Sequence, residues 1–167
     1  KIRQVRSDGE LVGDAELVGQ VINQGEALLG RHLPWFPNRI PATACIYDEC
    51  SGIEDMVFES SDTWTHRELL IGNCYPCNNS FRRWIKEGDL PRPNGKGFYR
   101  KIIRIRAEDS PNVQFAQAQI AAGLEPTNEV LIPGVLDWET YQKRRLLWHP
   151  MRQCVGLDAE FYEGASV

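Results

Sequence analysis

A chain of 167 residues with 42% apolar and 25% charged content has the make-up of one compact globular domain, long enough to bury a core. No stretch approaches the roughly 20 apolar residues of a membrane span, and no charged-then-apolar leader opens the sequence, so a membrane partner is not expected. The net charge of −4 conceals an asymmetry: between Asn79 and Arg106 nine basic residues face two acidic ones, a block of +7 in a remainder of −11.

That block suits either a polyanion-facing surface or a solvated helix and strand face. The cysteines number five, Cys45, Cys50, Cys74, Cys77 and Cys154, an odd count that fits reduced thiols in a reducing compartment better than a disulfide framework. The first residue is Lys1 rather than Met, in keeping with a fragment or a processed product.

In chain order, Leu17, Val18, Val21 and Ile22 share a helical stripe over residues 14–22, with Asp14 placed to cap it. The loop containing Pro34-Trp35-Phe36-Pro37 follows, then a strand over 42–47. Its lack of polar alternation predicts a central strand buried on both faces of a parallel sheet. A second apolar strand, Glu68–Ile71, runs into Gly72-Asn73, and the Gly and Pro beyond it end the element.

Residues 80–87 read as a helix, with Phe81, Trp84 and Ile85 inward, Arg82, Arg83 and Lys86 outward, and Gly88 as its cap. Phe98–Ala107 alternates Ile103 and Ile105 with Arg104 and Arg106, a strand pattern. Ser110-Pro111 starts a helix that reaches Gly123. A short strand at Val130–Ile132 precedes a helix over Trp138–Trp148, capped by Asp137 and stopped by Pro150. Strands separated by helices indicate an α/β domain over 1–150, with 151–167 as a C-terminal linker.

In such sheets ligands gather at the carboxyl ends of strands, where Asp48, Glu49 and Asn73 fall. An apolar strand ending in Asp-Glu is the pattern of a Walker B element: the Asp holds Mg²⁺, and the Glu orients and deprotonates a water aimed at a terminal phosphate. Asn73 is placed to sense that phosphate. The sequence contains no GxxxxGK[ST] loop to cradle phosphates, so on its own the chain is not expected to hydrolyse ATP well.

Cys74-Tyr75-Pro76-Cys77 has the spacing of half a zinc site, with Cys50 and His66 as conceivable further ligands, but no second close pair completes it. Ordinary loop cysteines are the simpler expectation, and a small zinc nuclease of HNH type is the reading that the alternative would support. A third reading is a nucleic-acid-binding α/β module in which the basic block binds and the acids are structural.

Taken in order, IYDECSGIEDMVFE (Ile46–Glu59), TWTHRELLIGN with the Pro and Phe-containing helix after it (Thr63–Phe81), RKIIRIRAEDSPNV (Arg100–Val113), LIPGVLDWETYQKRR (Leu131–Arg145) and VGLDAEFYEG (Val155–Gly164) resemble the large terminase subunit of tailed bacteriophages. The resemblance implies the half of a P-loop NTPase-like domain from Walker B onward, with a parallel sheet flanked by helices, in a DNA-packaging motor. It implies ATP and Mg²⁺ as cofactors, Asp48 on the metal, Glu49 as catalytic carboxylate and Asn73 in the motif that couples hydrolysis to movement. It further implies double-stranded DNA as partner, and the basic block supplies Arg82, Arg83, Lys86, Arg100 and Lys101 as the residues expected to face it. A homo-oligomeric ring working with phage portal and small terminase, in the host-cell cytoplasm, completes the expectation. Family members also carry a Walker A half and a nuclease domain that this sequence lacks.

Overall fold

The computed structural model describes residues 2–5, 11–17, 19, 21 and 43–164. The described residues form a mixed α/β arrangement of three two-stranded sheets and five α-helices. Strand β1 (Ile2–Val5) pairs antiparallel with β2 (Leu11–Leu17). Residues 14–17, expected as the first helical turn, are therefore extended: pairing with β1 prevails over the local helical stripe, since strand formation is set by cross-strand neighbours rather than local periodicity. Val18, Ile22 and the 34–37 loop lie outside the described residues.

The centre of the fold is a parallel pair, β3 (Ala44–Tyr47) and β4 (Arg67–Leu70), with Tyr47 opposite Leu70 and Ile46 opposite Leu69. Its crossover contains helix α1 (Asp55–Asp62). Helix α2 (Ser80–Glu87) follows β4. Tyr47, Cys50, Val57, Phe58, Cys74 and Phe81 are buried together, with Trp84, Ile85 and Leu70 packed against them. The aromatic rings meet edge to face, Tyr47 to Phe58 at 5.2 Å and Phe58 to Trp84 at 5.6 Å between centroids.

Only one face of the parallel pair is covered among the described residues. Cys45 and Tyr47 turn toward the helices, whereas Ile46 and Leu69 are 61% and 52% exposed. The expected burial on both faces thus holds for one face, because α1 and α2 pack on the same side.

Beneath this core, Tyr47, Ser61 and Glu68 join α1 to both strands. The Tyr47 hydroxyl meets Ser61 Oγ and donates to Glu68 Oε1 at 3.3 Å, and Ser61 also donates to the Phe58 carbonyl at 2.8 Å. Burial raises the Tyr47 pKa well above the usual phenol range and raises that of Glu68 as well.

Beyond α2, a hairpin of β5 (Leu90–Pro91) and β6 (Phe98–Arg100) leads to an irregular segment; the predicted strand does not continue to Ala107. Ile103 and Ile105 are each 78% exposed, and among the described residues no partner strand gives their alternation a buried face. Helix α3 (Pro111–Ala121) has Ser110 at its N-cap position and Pro at its first turn. Residues 130–132 are not a strand: buried Asn112 donates to the Ile132 and Val135 carbonyls and accepts from the Ile132 N–H at 2.9 Å, fixing the segment as a loop.

Helix α4 (Trp138–Leu147) is capped by Asp137, whose carboxylate accepts from the Thr140 N–H at 2.9 Å. Pro150 does not merely stop it but opens α5 (Pro150–Gly156), since proline is favoured at a first helical position. The residues after α5 are packed: Leu157 is fully buried, its carbonyl accepts from the Ala107 N–H at 2.8 Å, and Phe161 stands edge to face on Phe81. Among the described residues, no helix is long and apolar enough to cross a membrane.

Asn112→Ala would leave two loop carbonyls and one N–H without their partner. It should lower unfolding free energy by about 2–3 kcal/mol in urea titration, whereas a neutral result would show the loop to be held by other means.

Candidate functional site

The chain leaves β3 at Asp48 and turns sharply. Asp48 Oδ1 accepts from the Glu49 N–H at 3.0 Å, and Glu49 takes the left-handed conformation at φ +56°, which non-glycine residues seldom adopt. The Gly52 N–H then donates to the Glu49 carbonyl at 2.9 Å, closing the turn. Both carboxylates are exposed, and neither is paired with a cation among the described residues.

The parallel ladder extends past both strands: Ile71 N–H donates to the Tyr47 carbonyl at 2.9 Å, and Cys50 N–H to the Ile71 carbonyl at 3.0 Å. At the next position the two backbones nearly touch. A Cβ on Gly72 would lie 2.8 Å from the Cys50 nitrogen, so only glycine fits there. Asn73 follows, exposed, at the same carboxyl edge as Asp48 and Glu49.

Asn79 holds the other side of the turn. Its buried side chain donates to the Cys50 carbonyl at 2.9 Å and the Ile53 carbonyl at 2.7 Å, while its Oδ1 accepts from the Arg82 N–H as the N-cap of α2. Asp55, first residue of α1, accepts from the Ser80 N–H at 2.5 Å and pairs with Arg83 at 2.9 Å. Although desolvation pushes the Asp55 carboxyl upward, Arg83 and the Ser80 N–H hold it below its ordinary range. A shallow depression of about 460 Å³ lies beside this turn, lined by Ser51, Glu54, Asp55, Cys77 and Asn78 among others, but Asp48, Glu49 and Asn73 stand outside it.

The cysteine pair is engaged within the fold. The Cys74 thiol donates to the Ala159 carbonyl at 3.4 Å, and burial raises the pKa of Cys74 and Cys77. Cys50 donates to the Tyr47 carbonyl and is pushed up to about 11, again by burial. His66 contacts the Thr43 hydroxyl at 2.8 Å. Among the described residues no three His, Cys, Asp or Glu side chains converge as a metal site. A Mg²⁺ ion does not require such a cluster, since one carboxylate with water and phosphate oxygens can hold it.

The five cations expected to face DNA all carry carboxylate partners. Arg82 makes a bidentate pair with Glu163 at 3.1 and 3.2 Å, and Lys86 reaches the same carboxylate at 2.7 Å. Arg83 pairs with Asp55, Arg100 with Glu87 at 2.9 Å, and Lys101 with Asp89 at 2.5 Å. Two residues central to this corner, Gly72 and Asn79, were not apparent as such in the sequence. An Asn directly before a helix is a capping signal, whereas the close approach at Gly72 depends on a strand some twenty residues away.

No protein-family model, curated protein or solved structure matches the chain.

Gly72→Ala should destabilise the fold by roughly 1–3 kcal/mol, because the new methyl group meets backbone rather than a yielding side chain; an unchanged urea midpoint would deny the close approach. Because the folded Asp55 has a lowered pKa, its contribution to stability is complete above the ordinary carboxylate range. That contribution is lost as the pH falls through the range toward the lowered value. Asp55→Asn should accordingly flatten the fall in thermal midpoint below pH 5, and equal slopes for variant and parent would refute the pairing.

Proposed function

We propose that this chain is the Walker B portion of a DNA-packaging motor ATPase resembling the large terminase subunit, with a P-loop NTPase-like sheet organised around β3 and β4. The observation that supports it is the arrival of Asp48-Glu49 and Gly72-Asn73 at one carboxyl edge of a parallel pair, with two exposed carboxylates that have no cation partner among the described residues. In this reading Asp48 holds Mg²⁺, directly or through water; when bound, the ion neutralises phosphate charge. Asp48 Oδ1 accepts from the Glu49 N–H, which fixes the carboxylate that would hold the ion.

Glu49, raised from the strand end by its left-handed backbone, orients a water and accepts its proton. Asn73 supplies a neutral donor and acceptor at the adjoining strand end, suited to report the state of a terminal phosphate. The phosphate cradle itself is not among these 167 residues, so turnover in this reading requires a loop from elsewhere in the motor. Double-stranded DNA, a homo-oligomeric ring, portal and small terminase are the partners that the reading entails. The zinc-nuclease alternative has no comparable support, since the Cys74 thiol and His66 are both taken up by neighbouring backbone or hydroxyl groups.

In the intact motor, Glu49→Gln should lower ATP turnover by roughly 10²- to 10⁴-fold while leaving nucleotide binding in place. Turnover equal to that of the parent would remove Glu49 from the catalytic role.

A further inference from the structure

The basic block divides in two once its ion pairs are traced. Seven of its nine cations, Arg82, Arg83, Lys86, Arg100, Lys101, Arg104 and Arg106, have carboxylate partners. The remaining two, Arg92 and Lys96, have none among the described residues, and both lie at the tip of the β5–β6 hairpin. No Asp or Glu occurs from Leu90 to Arg100. At the root of the hairpin, Glu87 and Asp89 are already occupied by Arg100 and Lys101.

The tip is structurally defined. Arg92 N–H donates to the Gly97 carbonyl at 3.1 Å, Gly95 N–H to the Arg92 carbonyl at 3.0 Å, and Lys96 N–H to Asn94 Oδ1 at 2.9 Å. Gly95 and Gly97 take positive φ, at +68° and +83°, which lets the chain reverse within six residues. At the base, Arg100 Nε donates to the Gly88 carbonyl and Ile102 N–H to Asp89. Two full positive charges are therefore presented in solvent on a backbone that is already ordered, so little conformational entropy remains to be lost when an anion binds.

We infer that the Arg92–Lys96 hairpin tip is a contact for the phosphate backbone of duplex DNA, and that it, rather than the exposed side of α2, carries the electrostatic part of DNA binding. A cation held by a carboxylate must surrender that partner to gain a phosphate, and the net gain is small; Lys96 surrenders only water, and Arg92 holds only neutral partners, its Nε donating to the Phe98 carbonyl at 3.4 Å. The aromatic residues at the site favour a duplex over a single strand. The Arg92 guanidinium lies 5.4 Å over the Tyr99 ring and Lys101 lies 4.7 Å over Phe98, so one face of each ring is already covered by one of the protein's own cations. A narrow tip whose free charge stands in solvent suits phosphate rows, which position a protein without reading sequence. The inference rests on the DNA partner proposed above but not on ATP hydrolysis.

The test is fluorescence anisotropy of the full 167-residue chain with a labelled duplex of about 20 bp, without nucleotide, across a series of salt concentrations. The double variant Arg92→Gln/Lys96→Gln should reduce the slope of log affinity against log salt by about 1.8, for two lost phosphate contacts, and weaken binding at 0.1 M salt more than about tenfold. Exchanging the two charges, Arg92→Lys/Lys96→Arg, should retain the slope, and Lys86→Gln should leave it unchanged. An unaltered slope in the glutamine double variant would overturn the inference, as would an equal loss in Lys86→Gln, a loss in the charge exchange, tighter binding of a single strand of equal length, or no duplex binding by the parent. Because nucleotide is absent, each of these outcomes leaves the assignment of Glu49 standing, and failure of the Glu49 experiment leaves the hairpin result intact.

Discussion

The Asn79 carboxamide makes three hydrogen bonds from inside the core, and the position of nearly everything around Asp48 and Glu49 depends on them. Two go to the carbonyls of Cys50 and Ile53 in the sharp turn, the first of which also accepts from the Ile53 N–H at 3.3 Å. The third caps α2. A buried carbonyl without a partner costs about 1–3 kcal/mol, so the turn is stable only where such an amide is supplied. By supplying it from the start of α2, the fold links the direction of that helix to the conformation of the turn. The acids are thereby held at a strand edge by a helix that they do not touch.

Charge is distributed by the same logic of satisfaction at close range. The N-terminus of α2 would attract an anion, yet Asp55 already fills that place and Arg83 closes over it. Glu163 neutralises two further cations of the helix, and Lys86, first, with Arg82 lowers its pKa below the usual range. A block that reads as +7 in sequence is thus mostly a lattice of ion pairs, and its free charge is confined to a few residues. Surface pairs of this kind contribute little stability individually, so their larger effect is on where a polyanion can gain by binding.

How much of this was legible follows the range of the interaction concerned. Helix α2 is readable to the residue because its amphipathic stripe and Gly88 cap are local chemistry, as is the start of α4 from Asp137. The strand end bearing Asp48 and Glu49 was likewise readable from one short run. The stretch 14–17 was misjudged because its pairing with β1 is non-local, and 103–106 because alternation alone does not create a partner strand. Val130–Ile132 looks like a strand but is claimed by Asn112 from another helix. The glycine requirement at 72 and the neutralisation of Arg82 by Glu163 depend on distant parts of the chain, and no window of sequence contains both partners.

The packing of Phe161 on Phe81 and the bond from Cys74 to Ala159 span most of the chain after β3, the latter 85 residues apart. Proteins are made from the N-terminus at about 5–20 residues per second. When α2 leaves the ribosome, Cys50, Asp55 and Asn79 are already present and its first turn can be capped. The cover for Phe81 has not yet been synthesised, and arrives only several seconds later with the segment beyond α5. On this order of synthesis, the Phe81 face can be covered by Phe161 only after the C-terminal segment has been made. Nascent chains of intermediate length are the ones in which a chaperone has apolar surface to hold.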